Sequence, residues 1–289
     1  MPMPHDGASL GASNSRGSRF RLGDPAVATR IATAMVGVPV VLVLVVIGGA
    51  PFKAAVILVA LVAGWEAFQM LKSRGHRPAL LFVLAVSALL AAAPGSSNPR
   101  LWWQATVVVG ALAAGLWVLI AGEGSDAFVD WALTITIAIY AGGLLGFLTG
   151  VRLLGHGLQL VILVLVLNWA YDTGAYFTGR TFGRTPFMAH ISQKKTWEGV
   201  AGGVLLALVA ALVLAVPLGV NIGVSVVVGL VVAVSAQVGD LVESLMKRYC
   251  DMKDSGSIIP GHGGLLDRID SLLFSGAAAY YVLLVAGYH

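Results

Sequence analysis

The chain of 289 residues contains one cysteine, six histidines, and charged side chains at only 11% of its positions. Each scarcity excludes something. Cys250 alone has no partner for an intramolecular disulfide, and without a paired base it reads as a small packing residue. Histidine and cysteine are too sparse for a zinc site. Charge at 11% cannot coat a water-soluble particle in which 58% of residues are apolar and the mean hydropathy is +0.88, so the bilayer must act as solvent. No run alternates apolar and polar residues as a barrel strand would. No internal repeat is evident, which weakens an inverted-repeat transporter reading. The start of the chain lacks the charged segment, short apolar core and small-residue cleavage site of a signal peptide, so the first apolar run is expected to be an anchor.

What is present is a series of apolar runs. Crossing about 30 Å of hydrocarbon takes about 20 helical residues, and nine candidate runs occur, at 30–48, 53–71, 79–94, 101–121, 130–149, 158–178, 200–217, 220–246 and 270–287. The third is the shortest. Breaks fall at Gly48-Gly49-Ala50-Pro51, at residues 94–99 with their two prolines, and at Gly122-Glu123-Gly124-Ser125-Asp126. The expected fold is an all-α polytopic membrane bundle of about nine transmembrane helices. It divides into a mobile tail (1–29), amino-terminal helices (30–150) and a carboxyl-terminal catalytic region (151–289). With nine spans, fifteen of the eighteen Lys and Arg residues fall on one side, leaving only Lys53, Arg100 and Arg152 opposite. Positive loops stay in the cytoplasm, which predicts the amino terminus inside and the carboxyl terminus outside.

Polar residues cluster in the last four runs. Asp240, Glu243, Ser244 and Lys247 share one helical face, as do Asn168, Asp172, Tyr176 and Arg180. Lys247 alone could simply snorkel to water, and Asn168 and Tyr176 could serve interhelical hydrogen bonding. Asp240 lies nearly two turns deeper than Lys247, where a carboxylate needs a cation. The segment 178–203 carries Arg180, Arg184, Lys194 and Lys195 against the single acid Glu198, with Ser192 and Thr196 as hydroxyl donors. That set suits phosphate oxygens, although basic loops are also ordinary on the inner face. Gly199, Gly202 and Gly203 read as helix-packing positions. Residues 244–270 gather eleven ionisable side chains around Gly261-His262-Gly263-Gly264. Glycines there free backbone N–H groups for an anion, while His262 is a candidate proton carrier, phosphate donor or turn cap. Asp240 ends one run and Asp267 precedes the next, so both carboxylates can meet at one level. Paired oxygen ligands suit Mg²⁺, which binds one or two carboxylates together with substrate phosphates.

Residues 244–270 resemble the signature of the CDP-diacylglycerol synthases, or phosphatidate cytidylyltransferases. The matching positions are Ser244, Lys247, Arg248, Lys253, Asp254, Gly256, Ile259, Pro260, His262, Gly263, Gly264, Asp267, Arg268, Ile269 and Asp270. Upstream, Asp172, Ala175, Tyr176, Gly179, Arg180, Phe182, Gly183, Ser192, Lys195, Thr196, Glu198 and Gly199 also look like the family's. Gln193 departs from it, standing where proline is expected.

The resemblance implies CTP-dependent cytidylyl transfer to phosphatidic acid for phospholipid synthesis, at the cytoplasmic face of the cell membrane. It implies Asp240 and Asp267 as ligands of Mg²⁺ with room for a second cation, and Asp240, Asp267, Lys247 and His262 as catalytic residues. Tyr176, Arg180, Ser192, Lys195, Thr196, Glu198, Ser244, Arg248, Lys253, Asp254, Gly263, Gly264, Arg268, Asp172 and Asp270 are implied in substrate binding. A homodimer is implied, and no nucleic-acid partner is expected. A CTP-dependent lipid kinase and a transporter of a phosphorylated solute remain open at this point, as does a nonenzymatic lipid-binding scaffold.

Overall fold

The structure is a computed structural model that describes residues 25–121, 126–192, 194–259 and 263–289. Most of the expected tail, together with Gln193 and His262, lies outside the described residues. Every apolar run is helical: α1 (Pro25–Ile47), α2 (Gly49–Ser73), α3 (Leu80–Ala92), α4 (Pro99–Ala121), α5 (Ala127–Ala138), α6 (Leu144–Leu153), α7 (Gly157–Phe182), α8 (Trp197–Ala215), α9 (Ile222–Tyr249) and α10 (Leu266–Val285). A π turn, Ile139–Gly143, joins α5 to α6, so the run expected at 130–149 is one rod spanning Ala127–Leu153. Among the described residues, seven rods are long and apolar enough to cross a membrane. Met35–Ile47 and Leu80–Gly95 are shorter apolar helices. No sheet occurs among the described residues; isolated bridges pair Pro186 with Thr196 and Ile259 with Gly263.

Local chemistry sets the starts of α8, beside the polar cluster, and of α9, at the far end from it. Thr196 Oγ1 accepts from Gly199 N at 3.2 Å to cap α8, and Asn221 Oδ1 accepts from Gly223 N at 2.9 Å to cap α9. Small residues then let helices approach. A Cβ on Gly203 would stand 2.7 Å from the Tyr171 ring, which confirms the packing role expected of that glycine between α7 and α8. A Cβ on Gly239 would lie 3.1 Å from the Ser271 Cα, so α9 and α10 run backbone to backbone where both carry carboxylates. One continuous apolar core draws on both halves of the chain, including Ala60 and Met70 of α2, Leu163 and Leu167 of α7, and Leu273 and Leu283 of α10.

The basic loops meet at one end of the bundle. Arg74 pairs with Asp251 at 2.5 Å, His76 Nε2 lies 2.5 Å from the Tyr249 hydroxyl, and Arg248 Nε donates to Ile191 O at 3.4 Å. At the other end, Arg152 Nε donates to Val45 O at 3.1 Å, and Gly155 N donates to His289 O at 2.9 Å.

Gly203→Leu should lower the melting temperature in detergent through overpacking worth about 1–3 kcal/mol. Gly37→Ala, where no atom lies within 4 Å of the added Cβ, should change stability by no more than about 1 kcal/mol. Equal melting behaviour of the two variants would contradict the close approach of α7 and α8.

Candidate active site

A cavity of about 970 Å³ opens among α7, α8, α9, the start of α10 and the loop after α7. Its lining mixes two kinds of surface: Arg180, Lys194, Lys195, Asp254 and Arg268 carry charge, while Trp169, Ala175 and Val200 are apolar. At 1.5 Å rise per residue, Trp169 and Arg180 lie about 16 Å apart along α7. A ligand with charged and apolar parts would meet both.

The acidic side chains are fixed one by one. Asn168 Oδ1 accepts from Ser275 Oγ at 2.8 Å, and Asn168 Nδ2 donates to Ser271 Oγ at 3.1 Å and to Asp172 Oδ2 at 3.4 Å. Ser271 Oγ donates to the same Asp172 oxygen at 3.4 Å, so α7 and α10 aim Asp172 together. Ser271 N donates to Asp270 Oδ1 at 2.6 Å. Asp240 pairs with Lys195 at 2.6 Å, tying α9 to the loop before α8, and receives a 3.4 Å hydrogen bond from Ser244 Oγ. The charge of Asp240 acts on both Asp172 and Asp270, so three helices direct like charge at one space.

Lys247 holds the neighbouring pair. Its ammonium bridges Asp267 Oδ1, at 2.7 Å, and Glu243, whose side chain is fully buried. Asp267 Oδ2 accepts from Ser255 N at 2.8 Å, Ser255 Oγ at 2.9 Å and Gly264 N at 2.9 Å. That oxygen carries three donors, whereas Oδ1 accepts from Lys247 at 2.7 Å. Below lies Glu66 of α2, fully buried, accepting from Leu265 N at 3.0 Å through Oε1 and from Leu266 N at 2.7 Å through Oε2. Gly256 and Gly264 lie so close that a Cβ on either would come within 2.8 Å of Glu66 Oε1. One carboxylate thus grips both arms of the loop that precedes α10.

The residues expected from sequence divide into two groups. Asp172, Tyr176, Arg180, Ser192, Lys195, Thr196, Asp240, Lys247, Asp254, Asp267, Arg268 and Asp270 line the cavity. The second group holds the walls. Glu198 accepts from Arg184 N at 3.1 Å and Thr185 Oγ1 at 2.9 Å, pinning the loop after α7. Arg248 braces Ile191 O and Met252 O, both at 3.4 Å, while Ser244 and Gly264 serve Asp240 and Asp267 from behind. Lys253 is exposed, and Gly263 takes a φ of 82°, which favours glycine. Cys250 is buried; that burial, reinforced by Asp251, pushes its thiol above the ordinary range, in keeping with packing rather than nucleophilic chemistry.

The cytidylyltransferase family model matches residues 28–286. The chain belongs to the cytidylyltransferase family. It is 33% identical to the phosphatidate cytidylyltransferase of Bacillus subtilis over 265 residues, covering 88% of this chain and 96% of that protein. The Synechocystis phosphatidate cytidylyltransferase is 31% identical over 286 residues, with 89% and 96% covered. Identity to the Haemophilus influenzae phosphatidate cytidylyltransferase reaches 46% over 123 residues, or 40% and 43% of the two chains.

The cytidylyltransferase signature does not disclose Glu66, Gln237, Ser255 or Ser271. A signal for Glu66 was nevertheless present, as the only acid inside the run 53–71 and a charge well within it, away from Lys53 at its start. Glu66→Gln would set an amide N–H₂ against backbone N–H donors and leave a buried mismatch of about 1–3 kcal/mol. The expected outcome is a lower melting temperature and faster proteolysis between residues 251 and 265. Unchanged proteolysis would show that Glu66 does not hold the loop.

Proposed function

We propose that this protein transfers the cytidylyl group of CTP to phosphatidic acid, forming CDP-diacylglycerol and releasing pyrophosphate. The single observation that carries the reading is one cavity lined by acids from α7, α9 and α10, by cations from α7, α9, α10 and the adjoining loops, and by the apolar side chains of Trp169, Ala175 and Val200. Both reactants are polyanions and one is a lipid, so the cavity must gather phosphates at the membrane boundary. Lys195, Lys247, Arg180 and Arg268 supply charge for those phosphates.

The donor set fits a hard cation. Asp240 keeps its side chain 39% exposed, and Asp240 and Asp267 both line the cavity with carboxylate oxygens. Among the described residues no group of three or more Asp, Glu, His or Cys is placed to hold a metal ion, so phosphate and water would make up most of the shell around two carboxylates, as is usual for Mg²⁺. Asp240 and Asp267 would hold the ion, with Asp172 and Asp270 beside a second cation. When bound, Mg²⁺ offsets repulsion between the substrates and charge on departing pyrophosphate.

Within that frame, the residues position the phosphates. Lys247, held by Glu243 and Asp267, presents its charge at a constant place, and Lys195 closes the loop over Asp240. A lipid phosphate oxygen attacks the α-phosphorus of CTP, forming the new P–O bond as the bond to the β-phosphate bridge breaks. The attacking monoester has a second pKa of about 6 and needs no strong base near neutral pH.

The basic end faces the cytoplasm in this proposal, which follows the charge bias and puts the site within reach of CTP. The location is the cell membrane. A homodimer, implied by the family resemblance, is part of the same proposal.

Purified protein given phosphatidic acid, Mg²⁺ and CTP labelled at the α-phosphorus should yield labelled CDP-lipid and pyrophosphate; a phosphorylated lipid with released CDP would instead identify a kinase. Asp240→Asn and Asp267→Asn, verified as folded, should each lose about 10²-fold or more in kcat. Near-normal turnover by either variant would remove the metal assignment. Lys247→Ala should weaken CTP or lipid-phosphate binding, and unchanged kinetics would return Lys247 to a purely structural role.

A further inference from the structure

Charged groups account for the basic part of the cavity and leave Gln237 unexplained. This residue lines the cavity on α9, about 4.5 Å along the helix from Asp240 on the side away from Lys247. It is only 8% exposed, its Oε1 accepts a 2.6 Å hydrogen bond from the Tyr171 hydroxyl, and its Nε2 has no partner among the described residues. Tyr171 cannot easily swing aside: it is 2% exposed and packs against Ala207, Ala233 and Ala236, with Gly203 beneath its ring. The amide oxygen is therefore occupied, and the N–H₂ group is what Gln237 has left to offer. An unpaired buried donor is costly, so the arrangement favours a ligand that brings an acceptor.

Resting on the cytidylyl-transfer reading, we infer that Gln237 determines specificity by donating a hydrogen bond to an ester carbonyl of the diacylglycerol part of phosphatidic acid. Three observations select that acceptor. Gln237 lies on the membrane side of Asp240, where the glycerol esters of a lipid with its phosphate among Lys195 and Lys247 would follow. Trp169, deeper along α7 than Tyr171, lines the same cavity as apolar surface for the chains. Asp172 and Asp240 line the cavity beside it and offer no donor, so the free amide N–H₂ calls for an acceptor, which an ester carbonyl supplies without adding charge. A site built to donate a hydrogen bond discriminates against an analogue that lacks the acceptor.

The test compares diacyl phosphatidic acid with its dialkyl ether analogue, which lacks both carbonyls, in the full-length protein. Wild-type protein should favour the diacyl substrate about tenfold in kcat/KM. Gln237→Met, close in shape and without the donor, should bring the ratio near one while leaving the KM for CTP unchanged. Tyr171→Phe, which releases the amide, should also lower the ratio and provides the answer should Gln237→Met fold poorly. An unchanged ratio in a folded variant overturns the inference. A raised KM for CTP with the lipid ratio intact places the amide on the nucleotide and overturns it equally. Failure of the wild type to make CDP-lipid from either substrate would instead refute the functional reading beneath it.

Discussion

Lys247 stands between a fully buried carboxylate on its own helix and Asp267 at the start of the next, and this bridge governs the geometry of the site. In a low-dielectric interior, an unpaired ammonium or carboxylate is far more costly than a paired one, so the three groups constrain one another's positions. Their constraint extends outward. Asp267 is also bound by Ser255 and Gly264, and the loop containing those residues is gripped from below by Glu66. The carboxylates on α9 and α10 are thereby coupled to α2, near the opposite end of the sequence.

The second ion pair, Lys195 with Asp240, performs the corresponding task on the other side of the cavity. It secures the loop that leads into α8, while Glu198 and Thr196 fix where that helix begins. Between the two pairs lies the space proposed for the phosphates. Crowding Asp172, Asp240 and Asp270 around it would be unfavourable for an empty hydrocarbon-facing pocket, but it suits a site that exists to receive cations and polyphosphate together.

Much of this was legible in the chain. Hydropathy alone located every helical rod, because a span must satisfy its backbone internally whatever its neighbours are. The four-residue spacing from Asn168 to Arg180 and the cluster from Asp240 to Lys247 correctly marked faces of α7 and α9. Asp254, Asp267, Arg268 and Asp270 were visible through their motif. What periodicity could not show was direction at finer scale: Glu243 shares the face of Asp240, yet it turns to Lys247 and is completely buried. Glu66 escaped attention because its partners lie 199 and 200 residues away, a relation that only tertiary packing creates. Gln237 carries no charge and sits among Val and Ala, so nothing in local composition distinguishes it from an ordinary interhelical amide. The π turn at Ile139–Gly143 was equally hidden within an unbroken apolar run.

The most direct test of the central claim is to locate the divalent ion itself, by anomalous diffraction from crystals grown with Mn²⁺ in place of Mg²⁺ and a nonhydrolysable CTP analogue. The account requires a metal peak bounded by Asp240, Asp267 and nucleotide phosphate, with Lys247 still bridging Glu243 and Asp267. A peak remote from both aspartates, with nucleotide bound elsewhere, would contradict it.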